Sequence, residues 1–558
     1  MNGANNVTQT MTFEQKLLRR NKWMYSVGGI GRDMIYQLVA TFLMTYVQYS
    51  GLNLGIEHFS AIGTLLVIGR VWDAINDPIM GSIVENTHTR WGKYRPWILL
   101  GGILTSITVF FMFTTRRFGG WDFVIFFGVI YLLWEIAFTL NDIPYWSLIP
   151  NLSRNKKDRD EVTSMVVVFA GVGAFLANAI ISFTTVGNAV QGYARIAVGF
   201  VIFFMACTLL TSLGVREPKE VNPEKQEKIT IKKMFSVIRK NDQLLWASLS
   251  LMLYSVGSGL LVALGYNFFY IELGYNGTLV LIFIATFGVC NILIQSFYAS
   301  FAKRFSRKKL LGYSFVTLTV GYILMLIMGY VPFIPVHIVT VCLFGALIFS
   351  GQAIFYMVII VNMTNTIEYN EYKTGNRNEA VIFSLRPFVA KFSSALQQGI
   401  FTLVLIISGV YALSQNVSAL ERQKNIFETY AISSAEHYDQ TEYMADVLTR
   451  TNILDDYGYD ATMEDAVYDA LQIVDFVYDE ERGIFLMEIN AAADSAFKAK
   501  ATGSMKFLLR LSITILPIAM IYGAFYVLNK KYIITEAFYE KMNIEIEEKR
   551  ARLAEEKA

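Results

Sequence analysis

Residues 56–99 read IEHFSAIGTLLVIGRVWDAINDPIMGSIVENTHTRWGKYRPWIL. The first two thirds form an apolar run long enough to cross a ~30 Å hydrocarbon core. Lipid offers no partners for backbone N–H and C=O groups, so such a run has to be helical. Inside it stand Arg70, Asp73, Asn76 and Asp77. Asp73 and Asp77 are four residues apart and project from one face, with Arg70 one turn earlier. Ionisable groups inside a span are expensive and point to function. A polar loop with Arg90, Lys93 and Arg95 follows, and then a second apolar run begins. The stretch therefore reads as a span, a basic loop and another span.

Working outward, the same pattern recurs along the 558 residues. Spans are expected near 23–50, 56–85, 96–114, 121–150, 162–185, 192–213, 243–271, 277–301, 309–330, 336–365, 379–410 and 506–529. Composition agrees: 54% of residues are hydrophobic and 17% charged, against about 25% charged in soluble domains. Lys and Arg gather in the even-numbered connections: Arg90–Arg95, Arg154–Arg159, Lys219–Lys240, Lys303–Lys309, and Lys373 with Arg377. The odd connections are poor in both, apart from Arg116-Arg117. The positive-inside rule puts those even loops and both termini in the cytoplasm, in a plasma (inner) membrane. No cleavable signal peptide is expected.

The organisation expected is a first six-helix half over 1–215, a cytoplasmic linker over 216–242, and helices 7–11 over 243–410. An insertion over 411–505, helix 12 over 506–529 and a cytoplasmic tail over 530–558 complete it. Each half carries a basic loop between its second and third helices, a weak internal symmetry that suggests two parallel repeats with a substrate site between them. The insertion is strongly acidic, as in Asp455-Asp456 and Asp479-Glu480-Glu481, with helical periodicity from Met463 to Val474. It is expected to be a mostly helical extracellular cap near the outer mouth that leaves the transport site intact.

Several function classes are excluded. The net charge of +2 is not gathered into a nucleic-acid module. Cys207, Cys290 and Cys342 lie in apolar runs and read as packing residues. His58, His88, His337 and His437 are scattered without metal-ligand spacing. No nucleophile–base pair or phosphate loop suggests an enzyme.

The ionisable residues inside spans form a constellation. Span 1 holds Arg32 and Asp33, and span 4 holds Glu135, Thr139, Asp142 and Trp146 on one helical stripe. Span 11 holds Arg386 and Lys391. Two acidic stripes in an apolar bundle repel unless a cation sits between them. An ammonium such as Lys391, or a Na⁺ held by carboxylate, amide and hydroxyl oxygens, meets that need. Trp146 beside Asp142 suits a sugar, whose C–H face stacks on the ring while its hydroxyls donate to the acid.

Four strings carry a resemblance: DAINDPIMGSIVENTHTRWGKYRPWIL (Asp73–Leu99), NDIPYWSLIP (Asn141–Pro150), GRDM (Gly31–Met34) and IEYNEYKTGNRNEA (Ile367–Ala380) with Lys391 downstream. They resemble the signatures of the glycoside–pentoside–hexuronide:cation symporters, the melibiose permease-like group of the major facilitator superfamily. The resemblance implies an all-α membrane protein of twelve transmembrane helices in two six-helix halves; it does not cover the helical extracellular insertion expected between helices 11 and 12. It implies symport of a sugar or glycoside by alternating access, coupled to Na⁺, with H⁺ or Li⁺ as alternatives, and no cofactor. It assigns Asp73, Asn76, Asp77 and Thr139 to the cation, and Asp33, Asp142 and Trp146 to the sugar, with Arg32 beside them. Lys391 lies between the two sites, and Tyr356 stands where the family has a tryptophan. Glu368, Glu371 and Arg377 match charged residues of a cytoplasmic gate, closed with Arg90, Lys93 and Arg95.

There are departures. Val167 stands where a sugar-binding arginine is expected, Glu135 replaces a small residue, and Arg386 replaces a neutral polar one. An added cation at 386 favours an anionic substrate such as a hexuronide. Five residues separate Arg386 from Lys391, so the two need not share a face. A non-transporting sugar sensor and a lysophospholipid symporter of the same fold are the competing readings. The partners expected are the sugar, the monovalent cation and the bilayer, and no nucleic acid.

Overall fold

The computed structural model describes residues 13–52, 54–87, 89–115, 118–152, 156–216, 236–237, 239–377, 379–433, 469–471, 473–481 and 484–555. The chain is mostly helical. In chain order the helices are α1 (Phe13–Ala40), α2 (Leu43–Tyr49), α3 (Ile56–Glu85), α4 (Arg95–Thr114), α5 (Gly120–Leu152), α6 (Lys156–Thr185) and α7 (Ala189–Gly214). Then come α8 (Asp242–Glu272), α9 (Gly277–Arg304), α10 (Arg307–Ile327), α11 (Ile338–Thr374), α12 (Glu379–Ile407) and α13 (Val410–Ser433). A hairpin of β1 (Asp475–Asp479) and β2 (Ile484–Glu488), then α14 (Asn490–Lys500), α15 (Gly503–Lys530) and α16 (Glu536–Glu555) follow.

Among the described residues, ten helices are long and apolar enough to cross a membrane: α4 to α12 and α15. The helices α1 and α3 are of similar length, 28 and 30 residues, but carry the charges noted above. Helices α1 and α3 to α7 pack on one another as a first half, and α8, α10, α11, α12 and α15 as a second. The α9 helix belongs to the second half through α11 and reaches α6 of the first. The linker between the halves falls mostly outside the described residues.

Helices without a hydrophobic driving force between them associate through close packing, which favours small residues at the contacts. Gly101 of α4 lies against the backbone of Asn141 on α5, where any Cβ would collide. Asn141 Nδ2 in turn donates to Ile98 O at 2.7 Å, tying the two helices together. Hydroxyls inside the spans satisfy themselves on the preceding turn, as Ser106 does on Gly102 O at 2.8 Å and Ser212 on Thr208 O at 2.8 Å.

The halves meet along α3 and α12 and at the end of the bundle opposite the basic loops. There Gln48 Nε2 and Tyr49 Oη both donate to Asn267 Oδ1, at 2.6 and 2.7 Å. Gly277 abuts the carbonyl of Ser182, and Gly63 abuts Thr402. At the basic-loop end α16 packs on α11, with Arg307 paired to Glu536 at 3.3 Å.

Three features differ from the expectation. The span expected over 23–50 is broken at Thr41-Phe42 into α1 and α2, with the Thr41 hydroxyl bonded to Gln37 Oε1 at 2.6 Å. The insertion, expected to be mostly helical, also holds a pair of strands. Residues 475–479 and 484–488 pair as antiparallel strands, Asp475 opposite Glu488 and Val477 opposite Leu486. The aromatic and β-branched residues Phe476, Val477 and Tyr478 favour strand there. The periodicity noted from Met463 lies largely outside the described residues, as does Asp455-Asp456. Finally, the first part of the segment after span 11 is buried against the bundle. Gly409 turns the chain sharply at φ +75°, and α13 runs back buried along much of its length, from Val410 to Phe427.

Replacing Gly101 with Val is expected to destabilise the chain by about 1–3 kcal/mol through overpacking. Gly288→Val, at a position where an added Cβ meets nothing within 4 Å, is expected to leave stability unchanged. Thermal unfolding of both variants in detergent measures the difference.

Candidate functional site

Two charged groups meet in the middle of the bundle. In the first, Lys391 Nζ of α12 sits 2.9 Å from Asp73 Oδ1 and 2.5 Å from Asp77 Oδ2 of α3. This ties the second half to the first. Thr139 Oγ1 of α5 donates to Asp73 Oδ1 at 3.1 Å and to Glu135 O at 2.8 Å. Asn76 is half-buried on the same helix. Asp77 Oδ1 is buried without a hydrogen-bond partner. Helical spacing puts Asp73 and Asp77 on one face of α3, and the packing of α3 on α5 brings Thr139 to them.

The second group is centred on Arg32 of α1. Its Nη2 is 2.7 Å from Asp33 Oδ2, and its Nη1 pairs with Asp142 Oδ1 of α5. The guanidinium also lies over the Trp146 ring at 4.7 Å and the Tyr145 ring at 5.1 Å. Trp146 is 36% exposed, so its ring edges an open space rather than the core. Asp142 lies within electrostatic reach of both Asp77 and Lys391, which links the two groups.

The sequence reading did not pair Arg70 with Glu135, and the structure brings them to 3.9 Å. Both are buried, and Arg70 lies over Trp134 at 5.7 Å. The departure at 135 thus supplies a counter-charge for Arg70. The spacing on two separate helices gave no signal of that pairing. Beyond Lys391, toward the insertion end, a cavity of about 190 Å³ is lined by Arg70, Tyr131, Thr41, Ser394, Gln397 and Gln398, among others.

Arg386 does not join Lys391. It is exposed and donates to Tyr356 Oη at 2.5 Å, while Tyr356 stacks on Tyr254. Val167 is exposed, whereas its neighbour Val166 is fully buried. At the basic-loop end Glu368 and Glu371 are 3.2 and 3.6 Å from Arg377, and Arg550 of α16 takes Glu371 at 2.6 Å. Arg95 donates to Ser212 O at 2.5 Å and Trp91 O at 3.1 Å. Lys93 lies over Tyr94, and Arg90 is exposed. These described contacts of the six gate residues lie within their own halves.

A two-half helical bundle with ion pairs at its centre defines a membrane transporter of the major facilitator type. Over residues 24–431 the chain matches the model of the MFS/sugar transport protein family, and it belongs to that family, a glycoside–pentoside–hexuronide symporter-like group of transporters rather than enzymes. A lactose permease of Lactobacillus delbrueckii subsp. bulgaricus is 30% identical over 405 residues, 69% of this chain and 63% of the permease. A raffinose carrier protein of Pediococcus pentosaceus is 25% identical, covering 70% and 63%. A glucuronide carrier protein homolog of Escherichia coli is 25% identical, covering 71% and 86%. The alignments thus span less than two thirds of the first two relatives. Among solved structures, a bacterial homolog of the human lysosomal transporter Spinster superposes with a TM-score of 0.54 at 14% identity, covering 94% of this chain and 98% of that one. A point mutant of the nucleoside transporter NupG gives 0.53 at 13%, covering 72% and 98%. These two likenesses concern the fold.

Arg32→Gln is expected to lower thermal stability, because it leaves Asp33 and Asp142 facing each other without a counter-charge. Adding Asp142→Asn is expected to recover part of the loss, with a coupling of about 1–3 kcal/mol. A double-mutant cycle of unfolding in detergent measures it; additive effects would contradict the pairing.

Proposed function

We propose that this chain is a secondary active transporter that carries a sugar or glycoside together with a monovalent cation by alternating access. Twelve spans cross a plasma (inner) membrane in this reading, α1 with α2 and α3 joining the ten apolar helices, and both termini are cytoplasmic. The observation that carries it is the bridge from Lys391 to Asp73 and Asp77, which lies between the halves and beside the Arg32–Asp142 group. Five carboxyl groups, at positions 33, 73, 77, 135 and 142, are served there by three cationic groups, at 32, 70 and 391. An excess of buried acid attracts a cation. The oxygens of Asp73, Asp77, Asn76 and Thr139 suit Na⁺, and the same carboxylates suit Li⁺ or H⁺.

The relatives named as permeases and carriers of lactose, raffinose and glucuronides support a sugar substrate. Trp146 offers a face for sugar C–H groups, and Asp33 and Asp142 accept hydroxyl protons once Arg32 yields. Lys391 and the coupling cation compete for Asp73 and Asp77. Cation entry frees the ammonium and so changes the field at Asp142, which gives the two ligands a coupling free energy of ~1–3 kcal/mol. The halves are in contact at the insertion end and Trp146 is open, which fits a state facing the basic-loop side. The gate residues Arg90, Lys93 and Arg95 would meet Glu368 and Glu371 on the opposite swing, after Arg377 and Arg550 release them. Arg386, reachable beside Tyr356, adds a positive charge that favours a uronide over a neutral sugar.

Uptake into proteoliposomes across labelled lactose, raffinose, pentoside and hexuronide substrates, with and without a Na⁺ gradient, tests the reading. Uptake of none of them, with the protein folded, would overturn it. Asp73→Cys is expected to abolish Na⁺ stimulation and leave at most H⁺-driven uptake. Asp142→Asn is expected to abolish sugar binding to the purified protein while leaving expression unchanged, and wild-type affinity in that variant would count against the pocket.

A further inference from the structure

The seal at the insertion end is made by more than the two halves. Tyr411 Oη of α13 donates to Leu54 O at 2.6 Å, Gln415 Nε2 to Gln48 O at 3.2 Å, and Gly51 N to Ser418 Oγ at 2.9 Å. All three reach the first half. One residue reaches both halves. Glu421 Oε2 accepts from the N–H of Ala189, the first residue of α7, at 2.6 Å. Its Oε1 accepts from Tyr275 Oη, in the α8–α9 connection of the second half, at 2.8 Å. Glu421 is 1% exposed. Tyr275 is fixed in turn by α14, since its N–H donates to Asp494 Oδ1 at 2.5 Å.

We infer that α13 is a clamp across the outer mouth, and that the Glu421 carboxyl group is its latch, holding α7 to Tyr275 while the mouth is shut and releasing one of them before it opens. The inference rests on the alternating-access reading. A rocking motion of the halves separates Ala189 from Tyr275, and one side chain cannot then keep both.

The latch is also placed to respond to protons. Tyr193 of α7, Tyr270 of α8 and Tyr275 face Glu421, and Lys424 lies one turn along α13. Lys424 is engaged elsewhere, donating to Met487 O at 2.5 Å and pairing with Glu428 at 3.3 Å. No cation therefore closes directly on the carboxyl group among these described contacts, and burial pushes it up to about 7. An open mouth hydrates it and returns it toward about 4.5. The closed clamp thus binds the proton more tightly than the open one. Its closure is strongest below about pH 4.5 and weakens as pH rises toward 7.

Distances between spin labels test this without sugar or Na⁺. Labels at Thr184→Cys in the first half and Phe333→Cys in the second, both exposed positions, report the outer mouth in a nanodisc-embedded chain whose native cysteines are replaced by Ser. Glu421→Ala and Tyr275→Phe are each expected to raise the open-to-closed ratio several-fold, up to about tenfold, the scale of one lost hydrogen bond. Wild type is expected to open progressively from pH 5 to pH 8. Glu421→Gln, a neutral isostere, is expected to stay closed and to lose the pH response. Unchanged distances in Glu421→Ala and Tyr275→Phe, with helicity and monodispersity intact, would overturn the clamp. A pH-independent wild type would overturn the latch. Because no substrate is present, a failure of the sugar assignment shows in uptake and leaves these distances unaffected.

Discussion

One ammonium group between two carboxylates holds the centre of this molecule together. Lys391 comes from the second half, and Asp73 and Asp77 from the first. Removing such charges from water costs several kcal/mol per ion unless each is paired and hydrogen-bonded. The remaining ionisable groups obey the same constraint. Arg32 serves Asp33 and Asp142, and Arg70 serves Glu135. Pairing within the first half fixes helix register. Pairing across the halves does something further in the proposed mechanism, where the coupling cation takes the place of the ammonium.

That asymmetry assigns different work to the two halves. The first supplies nearly all the polar groups of the site on α1, α3 and α5, packed through Gly101 and similar close contacts. The second supplies Lys391 and, on the exposed side, Arg386 with Tyr356. On the alternating-access reading, a site built mainly on one half keeps its geometry as the other half swings. On that reading the contacts that change include the Lys391 bridge, the packing of α3 on α12 at Gly63 and Thr402, the contacts at Asn267 and Gly277, and α13.

Much of this was legible in the chain itself. The expected span over 56–85 coincides with α3, and most others agree within a few residues, because a long apolar run has one way to cross lipid. The Asp73/Asp77 and Asp142/Trp146 stripes were legible for the same reason: helical spacing is local. The Arg70–Glu135 pair was not, since nothing local says which faces of α3 and α5 meet. The break at Thr41-Phe42 left no Pro or Gly to announce it. The burial of α13 was hidden by averaging. The acidic character of 411–505 comes mainly from residues beyond Ser433, whereas 410–428 has nearly balanced charge and spends its polar side chains on the two halves.

The order of elements along the chain gives that burial its meaning. The helix that carries Lys391 runs without interruption to Ile407, turns at Gly409 and continues as the helix that carries Glu421. A helix is stiff along its axis, and only Ser408 and Gly409 separate α12 from α13. A shift of α12 that follows loss of the Lys391 bridge therefore moves the root of α13, whose far end is held to Ala189 and Tyr275. The central ion pairs and the outer seal are thus two ends of one mechanical element. An insertion between spans 11 and 12 is continuous in the chain with the helix that carries Lys391.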